Sequence, residues 1–178
     1  FIMTKNSFLI RLMIFALVLL GVAGAPGYAR SQAIGTQVLV DPASSTATTC
    51  GTHTIAIRVV DVNNLTGYHL EINFDPAVVA VTDVVNGGFL DGASETAFYE
   101  PSNEIDNING FISFGMAQQR PAVGEVDPKT GSGDLILITM QALVPNGSSD
   151  FIFDASESML VDWPDAFEIP FTTMDGSV

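Results

Sequence analysis

The stretch Thr66–Pro76, which reads Thr-Gly-Tyr-His-Leu-Glu-Ile-Asn-Phe-Asp-Pro, decides the fold of this 178-residue chain. Its apolar residues alternate with polar ones, the period of a β-strand that buries one face. Burying four such side chains contributes at most about 6–12 kcal/mol. A slip of one residue would expose all four and bury a carboxylate, so the pattern also predicts a firmly set register. The inward residues are Tyr68, Leu70, Ile72 and Phe74.

Strand-like runs continue on both sides of this stretch, and turn signals separate them. The turns are marked by Asn63-Asn64, Asn86-Gly87-Gly88, Asn109-Gly110 and Pro145-Asn146-Gly147. No run has the spacing of a long amphipathic helix. Many short strands with this punctuation predict an all-β sandwich. The main runs are Thr36–Val40, Thr52–Val62, Val78–Val85, Phe111–Met116 and Leu135–Val144.

Two of these runs predict a second face that is free to bind. If Ile112, Phe114 and Met116 point inward, their neighbours Ser113 and Gly115 point outward. The same argument on the later run places Ile136, Ile138, Met140 and Ala142 inward, and Leu135, Leu137, Thr139 and Gln141 outward. A flat sheet face with scattered apolar and small residues suits a protein partner. The alternative is that loops cover these outward side chains.

The first 29 residues have the pattern of a secretory signal peptide. Basic Lys5 and Arg11 precede the apolar run Leu12–Ala25, and small residues before Arg30 mark a cleavage site after Ala29, with Ala33 as a second candidate. The run has about 14 residues, short of the roughly 20 that span a bilayer. We therefore expect a secreted chain without membrane insertion, with a short linker at 30–35 and one domain at 36–178 whose last strand is cut short.

Charge and cysteine content narrow the possible partners and stabilising bonds. The net charge is −14, and all 20 acidic residues lie after the predicted signal peptide, with only four of the six basic ones. This balance argues against nucleic acid and anionic membranes as partners. With one cysteine, Cys50, the chain has no internal disulfide and depends on its core.

No sequence pattern supports a metal site or a catalytic site. His53 and His69 lack the spacing of zinc ligands, and Glu125–Asp134 does not have the alternating carboxylates of a calcium loop. The chain has no Gly-x-Ser-x-Gly motif and no glycine-rich phosphate loop. We therefore expect a protein that is not an enzyme and that holds no cofactor.

Several segments together resemble a cohesin domain. They are Val38–Ala43, the block Asn64–Val81, Gly87-Gly-Phe-Leu90, the run Gly131–Ala142 with Met140 where cohesins have phenylalanine, and the tail Ile169–Val178. The resemblance covers about residues 36–178. It implies a nine-stranded β-sandwich with jelly-roll topology that binds dockerin modules, which are helical and carry their own calcium.

The resemblance also implies positions for the contact with a dockerin. Matched residue by residue, they fall on the third, fifth, sixth and eighth strands, and Ser113 is added because it points outward beside them. The polar pair typical of the third strand is replaced here by Gly67 and His69. The candidate partner-binding residues are Gly67, His69, Glu71, Ala97, Tyr99, Ser113, Gly115, Gln118, Leu137 and Thr139.

Three functions are consistent with the sequence. The first is a secreted, dockerin-binding module of the kind found on scaffoldins that assemble polysaccharide-degrading enzymes, either free or attached to the cell surface through other segments. The second is a carbohydrate-binding sandwich, which usually displays a row of exposed aromatic rings; Trp163 and Tyr99 do not form such a row in the sequence. The third is a structural or adhesive surface domain without a dedicated ligand.

Overall fold

The computed structural model describes residues 35–91, 97–119, 126–163 and 166–178, and every regular element in these ranges is a β-strand. The predicted signal peptide and residues 30–34 of the predicted linker lie outside these ranges. The strands are β1 (Gln37–Asp41), β2 (Thr52–Asn73), β3 (Val79–Asn86), β4 (Ala97–Asp106), β5 (Phe111–Gln119), β6 (Lys129–Ala142), β7 (Asp150–Phe153), β8 (Met159–Asp162), β9 (Thr172–Met174) and β10 (Gly176–Ser177).

The strands form two leaves joined through the long strand β2. In the first leaf the order is β9, β1, the first half of β2, β6 and β3. In the second leaf the order is β4, β5 and the second half of β2, followed by β8 and β7 end to end, with β10 outside β7. All these pairings are antiparallel except that of β1 with β9. The predicted all-β sandwich with jelly-roll topology is therefore confirmed.

A bend in the middle of β2 carries the chain from one leaf to the other. Asp61 and Asn64 have positive φ angles of 54° and 57°, a conformation that aspartate and asparagine tolerate better than most residues. The register between β2 and β6 shifts between Val59 and Val62 and again between Val62 and Leu65. The sequence predicted a chain-reversing turn at Asn63-Asn64. That interpretation was wrong, because these residues form a bulged bend within one strand of 22 residues.

The core lies between the leaves and has the inward residues that alternation predicted. Tyr68, Leu70, Ile72 and Phe74 are all buried, and so are the predicted inward residues of β5 and β6. The Tyr68 and Phe114 rings stack with centroids 6.2 Å apart, and those of Phe74 and Phe151 lie 6.0 Å apart. Such pairs add a directional preference to the burial of apolar area.

The described part of the chain has ten strands rather than the predicted nine because its tail divides. β9 pairs with β1 in the first leaf, whereas β10 pairs with β7 in the second. Asp175 lies between the two strands, and its carboxylate accepts a hydrogen bond from the Phe153 backbone N–H at 3.2 Å. The tail therefore contacts both leaves.

The burial of Leu135 contradicts the alternation predicted for β6. The sequence placed it outward, but its side chain is 0% exposed. Ile57 of β2 pairs with Ile136 while the next residue, Arg58, pairs with Asp134, so Leu135 is an extra residue in a β-bulge. The bulge turns Leu135 into the core beside Ile136. The Leu135 carbonyl then accepts a 2.6 Å hydrogen bond from the Tyr68 hydroxyl, which joins the two leaves.

Tyr68→Phe tests this bond between the leaves. The change keeps the ring but removes the hydroxyl, while the Leu135 carbonyl keeps its bond from the Gly87 N–H, so we expect the free energy of unfolding to fall by about 0.5–1.5 kcal/mol. Urea unfolding followed by fluorescence measures the difference. Equal midpoints for the variant and the parent would show that the bond adds nothing to stability.

Candidate protein-docking face

The outer surface of the second leaf is built from the residues that alternate with its core side chains. Its first row begins at Gly67 of β2, which lies opposite Ala117 of β5 and Val161 of β8. A Cβ atom built on Gly67 would lie 3.2 Å from the Cβ of Ala117, closer than most such contacts. Gly67 is buried in this tightly packed row, and Ala117 and Val161 on either side of it are half-buried.

The second row centres on His69, which lies opposite Gly115 of β5 and Met159 of β8. Gly115 in turn lies opposite Ser102 of β4. Because Gly115 has no side chain, the His69 ring reaches across β5, and its Nδ1 lies 3.2 Å from the Ser102 hydroxyl oxygen. This bond fixes the ring along the face, while Met159 remains 46% exposed beside it.

The third row carries negative charge. Glu71 of β2 and Glu104 of β4 lie on either side of Ser113, which is buried and whose hydroxyl donates to that of Ser102 at 3.4 Å. Among the described residues the ion pairs are Arg58 with Asp41 and Asp134, and Lys129 with Asp127. Neither glutamate has a cationic partner in that part of the chain.

A shallow recess of about 340 Å³ opens where the first two rows meet β8. Gly67 and His69 line the recess on one side, and Met159, Val161 and Trp163 line it on the other. These walls are largely apolar, and the recess is large enough for one apolar side chain of a partner.

The structure brings together five of the predicted partner-binding residues. Gly67, His69, Glu71, Ser113 and Gly115 lie on adjacent positions of β2 and β5.

Two further predicted residues, Ala97 and Tyr99, belong to β4. Their backbones pair with Gln119 and Ala117 of β5. They therefore lie beside the first row of the face.

Gln118 also lines the recess, but its side chain does not share the orientation of the rows of the face. It has the same orientation in β5 as the buried Met116, and its amide nitrogen donates to the backbone carbonyls of Leu90 and Asp127, at 2.9 Å each. Gln118 therefore ties β5 to two neighbouring segments. The prediction that put Gln118 on the same side of β5 as Gly115 was wrong, since residues three apart in a regular strand point to opposite sides.

Leu137 and Thr139 lie in β6 of the first leaf, where they pair with Ala56 and Thr54 of β2. The sequence interpretation grouped them with His69 as contact positions for one partner. The structure corrects this, because β8, and not β6, lies beside His69. Met159 and Val161 were missed for the same reason. Their signal in the sequence was the short alternation around the buried Leu160.

Asp106, at the end of β4, holds the turn that leads into β5. The pKa of its carboxyl lies below the ordinary 3.8, first because of the backbone N–H of Asn109, then the Asn109 side chain and the backbone N–H of Ile108. The two backbone donors bond to Oδ1 at 2.8 Å, and the Asn109 amide bonds to Oδ2 at 2.7 Å. These bonds are stronger to the charged carboxylate than to the neutral acid, so they favour the ionised form.

We expect Asp106→Asn to destabilise the protein at neutral pH but not in acid. A carboxyl whose folded pKa is lowered stabilises the fold above its unfolded pKa, near 3.8, and loses this contribution as pH falls through the folded pKa. Urea unfolding of variant and parent at several pH values measures the difference. Asp83→Asn, at an exposed site, is the control. A gap between variant and parent that persists in strong acid would contradict this account.

The described residues contain no group of three or more histidine, cysteine, aspartate or glutamate side chains placed to hold a metal ion. Within the same ranges, no helix is long and apolar enough to cross a bilayer.

Comparison with solved structures shows which fold this is. A non-cellulosomal cohesin from the archaeon Archaeoglobus fulgidus has a TM-score of 0.59 and 15% identity, over 80% of this chain and 88% of that one. The third cohesin of ScaC from Acetivibrio cellulolyticus, solved with the ScaB dockerin, has a TM-score of 0.58 and 19% identity, over 80% and 96%. The cohesin of OlpC from Clostridium thermocellum, solved in a type I cohesin–dockerin complex, has a TM-score of 0.61 and 18% identity, over 80% and 91%.

The chain therefore has the fold of cohesin domains, as its sequence resemblance implied. No protein-family model and no curated protein matches the sequence.

Proposed function

We propose that this chain is a secreted, non-catalytic cohesin-like module that docks a dockerin-type partner on the outer face of its second leaf. The observation that carries the proposal is the largely apolar recess beside Gly67 and His69, with the exposed Met159 and the half-buried Val161 along one side. Apolar and small residues grouped on one sheet face are typical of a protein interface. Two of the similar structures are cohesins solved with dockerins.

The chemistry of this face suits an adaptable helical partner. The recess beside Gly67 accepts an apolar side chain, and the row of Glu71 and Glu104 favours a basic one. The calcium of the complex belongs to the dockerin, whose helices it stabilises. Secretion is part of the proposal because the first 29 residues have the signal-peptide pattern. An assembly that degrades polysaccharides is the context we propose for the complex.

A carbohydrate ligand is the second candidate, and Trp163 is the observation that favours it. This half-buried indole lines the recess, and flat aromatic rings stack on sugar faces. A single ring gives a small stacking surface, so we rank this function below the protein partner.

Calorimetric titration against a panel of purified dockerins, with calcium and with a chelator, tests the first function. We expect at least one dockerin to bind in calcium and to lose binding when the chelator unfolds it. A pull-down on insoluble cellulose and chitin is run in parallel. Binding to a polysaccharide, together with no binding to any dockerin, would overturn the proposal in favour of the second candidate.

A further inference from the structure

Three Asn-Gly pairs lie at or beside turns of this sandwich. The hydrogen bonds around them differ, and so does the ease with which each asparagine can react. In such a pair the backbone nitrogen of glycine can attack the asparagine side-chain carbonyl, since glycine offers no side chain to hinder it. The reaction needs a backbone N–H free of hydrogen bonds and an asparagine side chain free to rotate. The pairs are Asn86-Gly87, Asn109-Gly110 and Asn146-Gly147.

Hydrogen bonds protect the first pair at both reacting groups. The Gly87 N–H donates to the Leu135 carbonyl at 2.8 Å. The Asn86 amide nitrogen donates to Asp91 at 2.7 Å, and its oxygen accepts from the Gly88 N–H at 3.0 Å. The side chain is held at both ends, so attack requires this turn to open first.

The second pair is held in the same way by one residue. The Gly110 N–H donates to the Asp106 carbonyl at 2.8 Å, and the Asn109 amide nitrogen donates to the Asp106 carboxylate at 2.7 Å. The turn must again open before the glycine nitrogen can reach the side chain.

The third pair has neither protection. Asn146 and Gly147 are both exposed, in the turn between β6 and β7. Among the described residues, no hydrogen bond involves the Asn146 side chain or the Gly147 N–H. Backbone hydrogen bonds outside the pair hold the two ends of the turn. The Leu143 N–H donates to the Val78 carbonyl, and the Ser149 N–H donates to the Val178 carbonyl. The tip can therefore rearrange while both strands stay in place.

We propose that Asn146 is a site of spontaneous deamidation, selected by the fold over Asn86 and Asn109. The Gly147 nitrogen loses its proton and forms a bond to the side-chain carbon of Asn146, the bond from that carbon to Nδ2 breaks, and ammonia leaves. Water then opens the five-membered imide at either carbonyl, which gives aspartate or isoaspartate. No electrons are transferred, and water is the only co-reactant.

The modification changes the turn chemically without removing a core contact. Either product adds a negative charge to an already acidic chain, and isoaspartate also inserts a methylene into the backbone. Asn146 has a positive φ of 55°, a conformation that aspartate also tolerates. This site is independent of the proposed docking function, because it lies on the β6–β7 turn and not among the rows of the face.

Incubation of the full chain in mildly alkaline buffer, followed by peptide mapping with fragmentation that separates aspartate from isoaspartate, tests the proposal. We expect conversion at Asn146 to exceed that at Asn86 and at Asn109 by roughly tenfold or more, because the latter two require local opening. In denaturing urea the three rates should become similar. Asn146→Gly, which tolerates the positive φ, should remove the fast deamidation of the folded chain. Equal rates at the three sites in the folded chain, or a fastest rate at Asn86 or Asn109, would overturn the proposal.

Discussion

Phe114→Ala is expected to lower the free energy of unfolding by about 3–5 kcal/mol, the usual range for a buried phenylalanine. Phe114 is 1% exposed in β5, the strand between β4 and the second half of β2. Its ring stacks on Tyr68, the residue that joins the two leaves through the Leu135 carbonyl. The truncation therefore leaves a cavity where the core of the second leaf meets β6.

Urea unfolding measures this loss, and Phe167→Ala is its matched control. Phe167 is 67% exposed, so its removal should change stability by no more than about 0.5 kcal/mol. Since single domains have only about 5–15 kcal/mol of stability, the Phe114 variant should be visibly less stable at room temperature. Similar losses for the two variants would show that the core is not organised around Phe114.

Period-two alternation predicted the core of this sandwich because the constraint is local. A strand residue that faces inward dictates the orientation of its neighbours, and the inward residues of β2 and β5 are buried as expected. The argument failed at Leu135, where one extra residue on β6 puts two consecutive side chains into the core. A bulge depends on the pairing with another strand, and no pattern within β6 reveals it.

The candidate docking face was predicted only in part because alternation does not determine which strands are neighbours. Gly67, His69 and Glu71 were placed correctly with Ser113 and Gly115, since these positions share one orientation in two paired strands. Leu137 has an outward pattern too, but β6 pairs with the first half of β2. The bend at Asp61 and Asn64 sends the two halves of β2 to different leaves, and the sequence interpretation had put a turn there.

The face also depends on β8, to which sequence reasoning assigned no role in partner binding. β8 has four residues, and the alternation within it does not show which strand it pairs with. Its place beside Gly67 and His69 is determined by long-range pairing, and this pairing puts Met159 and Val161 at the rim of the recess. Two apolar residues of the recess thus come from a strand whose neighbours local patterns do not reveal.

Met159→Asp is expected to weaken binding of any dockerin that the parent chain binds by roughly tenfold to a hundredfold, the effect of losing an apolar contact at the proposed interface. The substitution puts a carboxylate at the wall of an apolar recess, where partner binding would remove it from water. Met159 is already 46% exposed, so unfolding should change by no more than about 0.5 kcal/mol. Calorimetric titration with a dockerin that binds the parent chain measures the affinity, and urea unfolding measures the stability.

Met174→Asp is the matched control, because it makes the same change at a methionine that is 50% exposed in β9 of the first leaf. Both variants gain the same charge, so a general electrostatic effect of a more acidic chain would weaken binding equally in the two. Loss of affinity confined to Met159→Asp would place the partner on the second leaf. An equal loss in both variants, or a larger loss in Met174→Asp, would move the interface away from the recess even though the parent chain binds. Failure of the parent to bind any dockerin would instead reject the proposed function itself, before either variant is compared.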